Sequence, residues 1–191
     1  MCRLLLALLV AALIFPLLNC GGSAHAPDEK YFLVATNVKL PYWQQAGAGL
    51  TKAALQMKVQ AEMVGPDTYD PKAESEQFQK ALAKKPAGIL VSVADATVLK
   101  GDIDAAAAQG VPVIAIDSDA AGSKRLMFVG TDNHKAGMMG AKVVAEKLKG
   151  KGTVAVFTIA GQSNLEERLH GYKDAFDAYP GIKITDTIDV K

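Results

Sequence analysis

Two neighbouring aromatic residues, Tyr42 and Trp43, stand directly after Lys39-Leu40-Pro41 and close behind Thr36 and Asn37. Adjacent residues of a helix point about 100° apart, so one ring can pack inward while the other faces a cleft. Aromatic faces suit the C–H patches of sugar rings, and hydroxyls need fixed polar partners of the kind Thr36 and Asn37 supply. The plainer alternative has both rings stapling the helix to its sheet. Asp117-Ser118-Asp119 closes an apolar run, and a carboxylate there accepts two hydroxyl hydrogen bonds at once. Ser118 or Asp119 serves equally well as a turn cap. Asp95, after Val93, is either a similar contact or the N-cap of the helix that follows. Arg168 sits at the edge of an apolar stripe formed by Leu165, Leu169, Tyr172 and Phe176. Its guanidinium can fork two hydrogen bonds to a ligand hydroxyl or carboxylate, or pair with Glu166, Glu167 or Asp174.

Catalytic signatures are weak. Gly47-Ala48-Gly49 falls inside a helical stretch instead of at a strand end, and no Walker sequence occurs. His134 and His170 lack zinc-ligand spacing, and no Gly-x-Ser-x-Gly elbow is present. Nothing here assembles an enzyme, and no cofactor, metal or enzyme activity is expected.

The elements that must position these residues alternate regularly. Apolar runs at 31–36, 59–64, 89–93, 112–116, 127–129, 153–159 and 182–188 read as strands. Stretches with helical spacing at 42–57, 71–84, 97–109, 134–148 and 164–178 read as helices. Asp70-Pro71 opens one helix and Gly110 stops another. Strands apolar throughout, joined by helices, predict an α/β fold with a doubly wound parallel sheet covered on both faces. In such sheets ligands bind beyond the carboxyl ends of the strands. That rule selects loops 36–41, 65–70, 94–96, 117–122 and 160–164. Gly130-Thr131-Asp132-Asn133, between a very short strand and a new helix, is either a crossover between lobes or a plain loop.

The chain of 191 residues carries 21 Lys and Arg against 20 Asp and Glu, a net charge of +1. A balance this even, with no basic stripe, speaks against nucleic acid as a partner. The amino terminus has one cation, Arg3, then an apolar run from Leu4 to Leu18 of roughly fifteen residues, the length of a signal-peptide core and short of a membrane span. Leu17-Leu18-Asn19-Cys20 resembles the lipobox of bacterial lipoproteins, in which the cysteine is lipidated; Asn19 is bulkier than the residue usual there. Cys2 would leave with the leader and Cys20 would be acylated, which leaves no pair for a disulfide. Residues 21–29, GGSAHAPDE, read as a tether.

Five blocks, YFLVATNVKLPYWQQAGAGLTKAA, AGILVSVADATVL, AAAAQGVPVIAIDSDA, FVGTDNHKAGMMGAKVVAEKL and GQSNLEERLHGYKDAF, together resemble the periplasmic sugar-binding proteins of the ribose-binding type. These are the substrate-binding components of ABC transporters and share their fold with the effector domains of LacI repressors. The resemblance runs from Tyr31 to the carboxyl terminus. It implies two Rossmann-like lobes joined by crossovers and closing on a sugar. It implies that the aromatic pair falls on Tyr42 and Trp43, the strand-end polar residue on Thr36, the strand-end aspartate on Asp117 and the second-lobe arginine on Arg168. The first hinge strand would be Gly130 to Asn133. Leu40 stands where ribose binders carry asparagine and Ser118 where they carry arginine, which points away from ribose itself.

The expected organisation is therefore a leader over 1–19, a lipid-anchored tether over 20–29, an N-terminal lobe over 30–130 and an incomplete second lobe over 131–191. The family's remaining strands and return crossovers are expected to be missing. A second lobe that short would leave Val154, Val156, Leu165 and Phe176 without part of their cover. The function this implies is an extracytoplasmic, membrane-anchored lipoprotein that binds a sugar or similar small polar ligand and delivers it to ABC permease subunits. Service to a sensor kinase or chemoreceptor is the alternative, and the neighbouring genes separate the two. A repressor role fits poorly, because an export leader occupies the place of a DNA-binding helix-turn-helix.

Overall fold

The structure, a computed structural model, describes residues 25–190. The leader, Cys20 and the first part of the tether lie outside the described residues. Five parallel strands form the first sheet: β1 (Lys30–Val34), β2 (Gln60–Val64), β3 (Gly88–Val91), β4 (Val113–Ile116) and β5 (Met127–Val129), in the order β2-β1-β3-β4-β5. Helices α1 (Pro41–Met57), α2 (Pro71–Ala83) and α3 (Ala96–Ala108) join the first four. The doubly wound α/β expectation holds, and element ends fall within one or two residues of the sequence reading. The local causes are plain. Asp70 caps α2 by accepting the amides of Lys72 and Ala73, both at 3.0 Å, with Pro71 preset for the first turn.

Packing divides by sheet face. On one face α2 and α3 bring Phe78, Leu82, Leu99 and Ile103 against Phe32, Val34, Ile89, Val91 and Val113 in a fully buried core. Among the described residues the other face carries α1 alone. Met63, Leu33, Leu90, Ile114 and Met127 form one hydrogen-bonded row across it. Leu33, near α1, is 2 % exposed; Leu90 and Ile114 are half-buried, and Met127 is 49 % exposed. Cover therefore thins steadily toward β5.

Beyond Val129 the chain passes through Gly130–Asp132 into α4 (Asn133–Lys147), β6 (Lys151–Thr158), α5 (Ser163–Phe176) and β7 (Gly181–Asp189). β6 and β7 pair in parallel as a separate two-stranded sheet. Its small core unites Ala141, Ala145, Ala175, Phe176 and Ile182. The apolar stripe expected on α5 is displaced: its buried residues are Gly171, Ala175 and Phe176, while Leu165, Leu169 and Tyr172 are half-buried. The cause is close helix contact. A Cβ on Gly171 would stand 2.0 Å from the His134 carbonyl, and one on Gly137 would stand 2.1 Å from that of Arg168. Paired glycines let the α4 and α5 backbones meet, and the buried seam follows them. Phe157, on β6, is 68 % exposed.

The last tether residues are not a loose spacer. Glu29 accepts the Ala26 amide at 3.0 Å and the Tyr31 hydroxyl at 2.9 Å, and lies 2.9 Å from His25 Nδ1. Those bonds fold residues 25–29 against the start of β1. Among the described residues no helix is long and apolar enough to cross a membrane.

Candidate functional site

The strand order places β1 beside β3 with β2 outside, so the crossovers from β1 and β3 diverge and open a crevice at their carboxyl ends. Loops at this end and the start of α5 enclose a cleft of about 240 Å³ lined by Thr36, Asn37, Leu40, Tyr42, Trp43, Tyr69, Asp117, Ile159 and Gln162. A second hollow of about 260 Å³ adjoins it, bounded by Tyr42, Trp43, Ile116, Asp117, Val129, Gly130 and Thr131 among others. Tyr42, Trp43 and Asp117 border both, so they form the partition.

That partition is built from one hydrogen bond and one ring contact. The Tyr42 hydroxyl donates to Asp117 Oδ1 at 2.8 Å. Partial burial, then this carboxylate, raises the Tyr42 hydroxyl above its ordinary pKa. Tyr42 and Trp43 meet edge to face, 5.0 Å between centroids and 88° between planes. Trp43 is 3 % exposed and Tyr42 60 %. The inward-and-outward division expected for the pair is thus realised, with the tyrosine as the open ring.

Asp117 adopts φ 62°, the left-handed region, and its amide donates to the Val129 carbonyl at 3.0 Å. This turn aims the carboxylate away from the sheet, and a non-glycine residue held so is strained. Its second oxygen, Oδ2, accepts from Asn164 Nδ2 of α5 at 3.3 Å. Asn164 Oδ1 is buried without a hydrogen-bond partner. Alongside, the Ser163 hydroxyl accepts the Asp119 amide and donates to the Asp119 carbonyl, both at 3.0 Å, and lies 3.2 Å from the buried Ser118 hydroxyl. Asp119 itself is held by Nε and Nη2 of Arg125. The loop after β4 is therefore tied to the amino end of α5.

Asp95 takes the capping role weighed for it, and Arg168 is engaged outside the cleft lining. Asp95 is the N-cap of α3, accepting the Thr97 amide at 2.8 Å and the Thr97 hydroxyl at 2.6 Å. Arg168 donates from Nη2 to Asn133 Oδ1, so it serves neither the cleft wall nor a salt bridge with its helix neighbours. Asp174 instead meets His134 Nε2 at 2.7 Å. Asn133 is 2 % exposed, and Arg168 is the donor that satisfies it there. Asp132 caps α4 through the Lys135 amide at 2.9 Å, and Asn133 Nδ2 donates to the Thr131 carbonyl at 3.0 Å. The stretch from Gly130 to Asn133 is the link between the two sheets. A Cβ on Gly130 would stand 2.3 Å from the Phe128 ring, so any side chain there must displace that ring.

Thr36 and Asn37 do line the cleft, and Asn37 Oδ1 also accepts the Lys39 amide at 2.9 Å. Tyr69, Gln162, Ser163 and Asn164 fall within loops 65–70 and 160–164 selected from sequence, but none of them was singled out there. Tyr69 donates its hydroxyl to the Ala94 carbonyl at 2.7 Å. Burial, then the carboxylates of Asp95, Glu74, Asp189 and Glu166, push that phenol up to about 12. No cluster of three metal-ligating side chains occurs among the described residues.

A family model described as periplasmic binding protein domain matches residues 31–191. The ribose import binding protein RbsB of Bacillus subtilis is 25% identical over 158 residues, 81% of this chain and 52% of that protein. A solute-binding protein of an ABC transporter from Burkholderia graminis, solved with D-arabinose, superposes with a TM-score of 0.82 at 28% identity, over 86% of this chain and 57% of that one. GanP, a glucose-galactose binding protein from Geobacillus stearothermophilus, gives 0.81 at 30% identity, over 85% and 58%. The chain spans a little over half the length of each.

Proposed function

The chain belongs to the family of periplasmic binding protein domains, and from that premise we propose that it binds a sugar in the cleft at Asp117 and passes it to the permease of an ABC transporter. The observation that carries this reading is the Asp117 carboxylate, with one oxygen engaged by a hydroxyl from α1 and the other by an amide from α5. Such a carboxylate is prepared for two hydroxyl donors, and sugar hydroxyls in place of Tyr42 and Asn164 keep both of its oxygens satisfied. The unused Asn164 Oδ1 offers a further acceptor. The Tyr42 ring supplies the apolar surface for ring C–H groups. Relatives described with D-arabinose or with glucose and galactose suggest the sugars to try first.

Trp43 is the single tryptophan and borders the cleft. Titration with ribose, D-arabinose, glucose and galactose should give, for at least one, a saturable change in its emission. The same sugar should raise the melting temperature, since a hundredfold excess over Kd adds roughly 2.7 kcal/mol to stability. If none of the four alters either signal, the sugar reading fails. Cys20 as a lipid anchor belongs to the same proposal. Cys20→Ser should shift the protein from membrane to soluble fractions, and unchanged fractionation would overturn the anchor alone.

A further inference from the structure

Glu74, on α2, is 0 % exposed, and among the described residues no other Asp, Glu, Lys or Arg is buried to that degree. It stands one turn before Phe78 and two before Leu82, on the helix face that packs inward, and its side chain turns under the loop that follows β3. Oε2 accepts the Ala94 amide at 3.0 Å, and Oε1 meets no hydrogen-bond partner. A lone carboxylate in such a place is costly, whereas a neutral carboxylic acid keeps the same bond. Burial accordingly pushes its pKa up to about 8, with the Ala94 amide pulling the other way.

The Ala94 peptide is gripped from both ends. Its amide goes to Glu74, its carbonyl takes the Tyr69 hydroxyl at 2.7 Å, and the next residue, Asp95, caps α3. Tyr69 lines the cleft. We propose that Glu74, held as an uncharged acid, is a positioning residue for the cleft, fixing through the Ala94 peptide the carbonyl that seats Tyr69. This rests on the cleft being the ligand site. The other titratable groups that act on this corner are Tyr69 itself, Asp95 on α3, Glu166 on α5 and Asp189 at the end of β7. All are acidic, so a charge on Glu74 adds to theirs at the Tyr69 hydroxyl and loosens the seat.

The test follows the Ala94 amide and the Tyr69 ring by NMR from pH 6 to 9 in the full chain, in wild type and in Glu74→Gln. Glutamine keeps the acceptor and cannot ionise. In wild type both signals should move together with a midpoint near pH 8, and in Glu74→Gln neither should move. Three results would each overturn the proposal: no titration in that range, an Ala94 titration that Tyr69 ignores, or the same titration in the glutamine variant. A parallel arm measures D-arabinose by Trp43 emission. Affinity should fall several-fold between pH 7 and 9 in wild type and stay level in Glu74→Gln. Absence of D-arabinose binding at every pH counts against D-arabinose as the ligand and leaves the NMR result to decide the role of Glu74.

Discussion

The Ser163 hydroxyl pairs with the backbone of Asp119 as another strand would, accepting its amide and donating to its carbonyl at 3.0 Å each across 44 positions of sequence. One short side chain thus joins the loop after β4 to the first turn of α5. The contact makes a clasp between the two sheets of the molecule.

Ser163→Ala removes both bonds and leaves the Asp119 amide short of a partner. The expected cost is about 1–3 kcal/mol, read as a lower urea midpoint. Trp43, at the cleft, should emit further to the red as the halves part. A variant with unchanged midpoint and emission would show that the clasp carries no weight.

Asp117 separates strain from function. Asp117→Ala and Asp117→Gly both delete the carboxylate, but only glycine takes φ 62° without steric cost. Glycine should therefore be the more stable of the two by about 1 kcal/mol in denaturant unfolding. Both should lose tenfold or more in affinity for whichever sugar binds wild type, in line with charge-assisted bonds of about 1.5–3 kcal/mol. Equal stability of the two variants would argue that the turn relaxes.

Glycines in helices should respond in opposite directions. A methyl group added at Gly49, inside α1, would meet nothing within 4 Å, so Gly49→Ala should stabilise by about 0.5–1 kcal/mol. Gly171→Ala must push against the His134 carbonyl 2.0 Å away, forcing α4 and α5 apart at a cost of about 1–3 kcal/mol or more. Thermal melts of the two variants beside wild type decide the matter.

Glu74 also sets a pH dependence of stability. Its folded pKa of about 8 lies above the 4.5 of an exposed glutamate, so between those values the folded chain holds a proton that the unfolded chain has released. Stability contributed by this group is full below pH 4.5 and declines as pH rises through 8. Glu74→Gln should flatten the melting temperature across that window. An equally steep decline in the variant would assign the slope to other groups.

The fold was legible because its punctuation is local. Asp70-Pro71, Gly110 and the continuous apolar strands mark element ends through capping, φ and burial alone. The part of the site carried by strand ends was legible for the same reason: Thr36, Tyr42, Trp43 and Asp117 follow from where strands stop. Gln162, Ser163 and Asn164 fell in a selected loop but could not be singled out, because polar residues at a helix start usually serve that helix, and Ser163 and Asn164 instead bond to the loop after β4. Glu74 was not singled out, although its spacing from Phe78 and Leu82 puts it on the inward face, because spacing alone does not show what a carboxylate would meet there. Gly137 and Gly171 carried no signal of contact, since close approach of two backbones is a property of both helices together.

The thinning of cover from Leu33 to Met127 has a practical side. A sheet face that ends in exposed Leu126, Met127 and Val129 is where this molecule should adhere to hydrophobic resins and light up fluorescent apolar dyes. The thioether of Met127, like those of Met57 and Met139, lies open to peroxide. Its oxidation would turn the most exposed end of that row polar and mark β5 with a stable mass label.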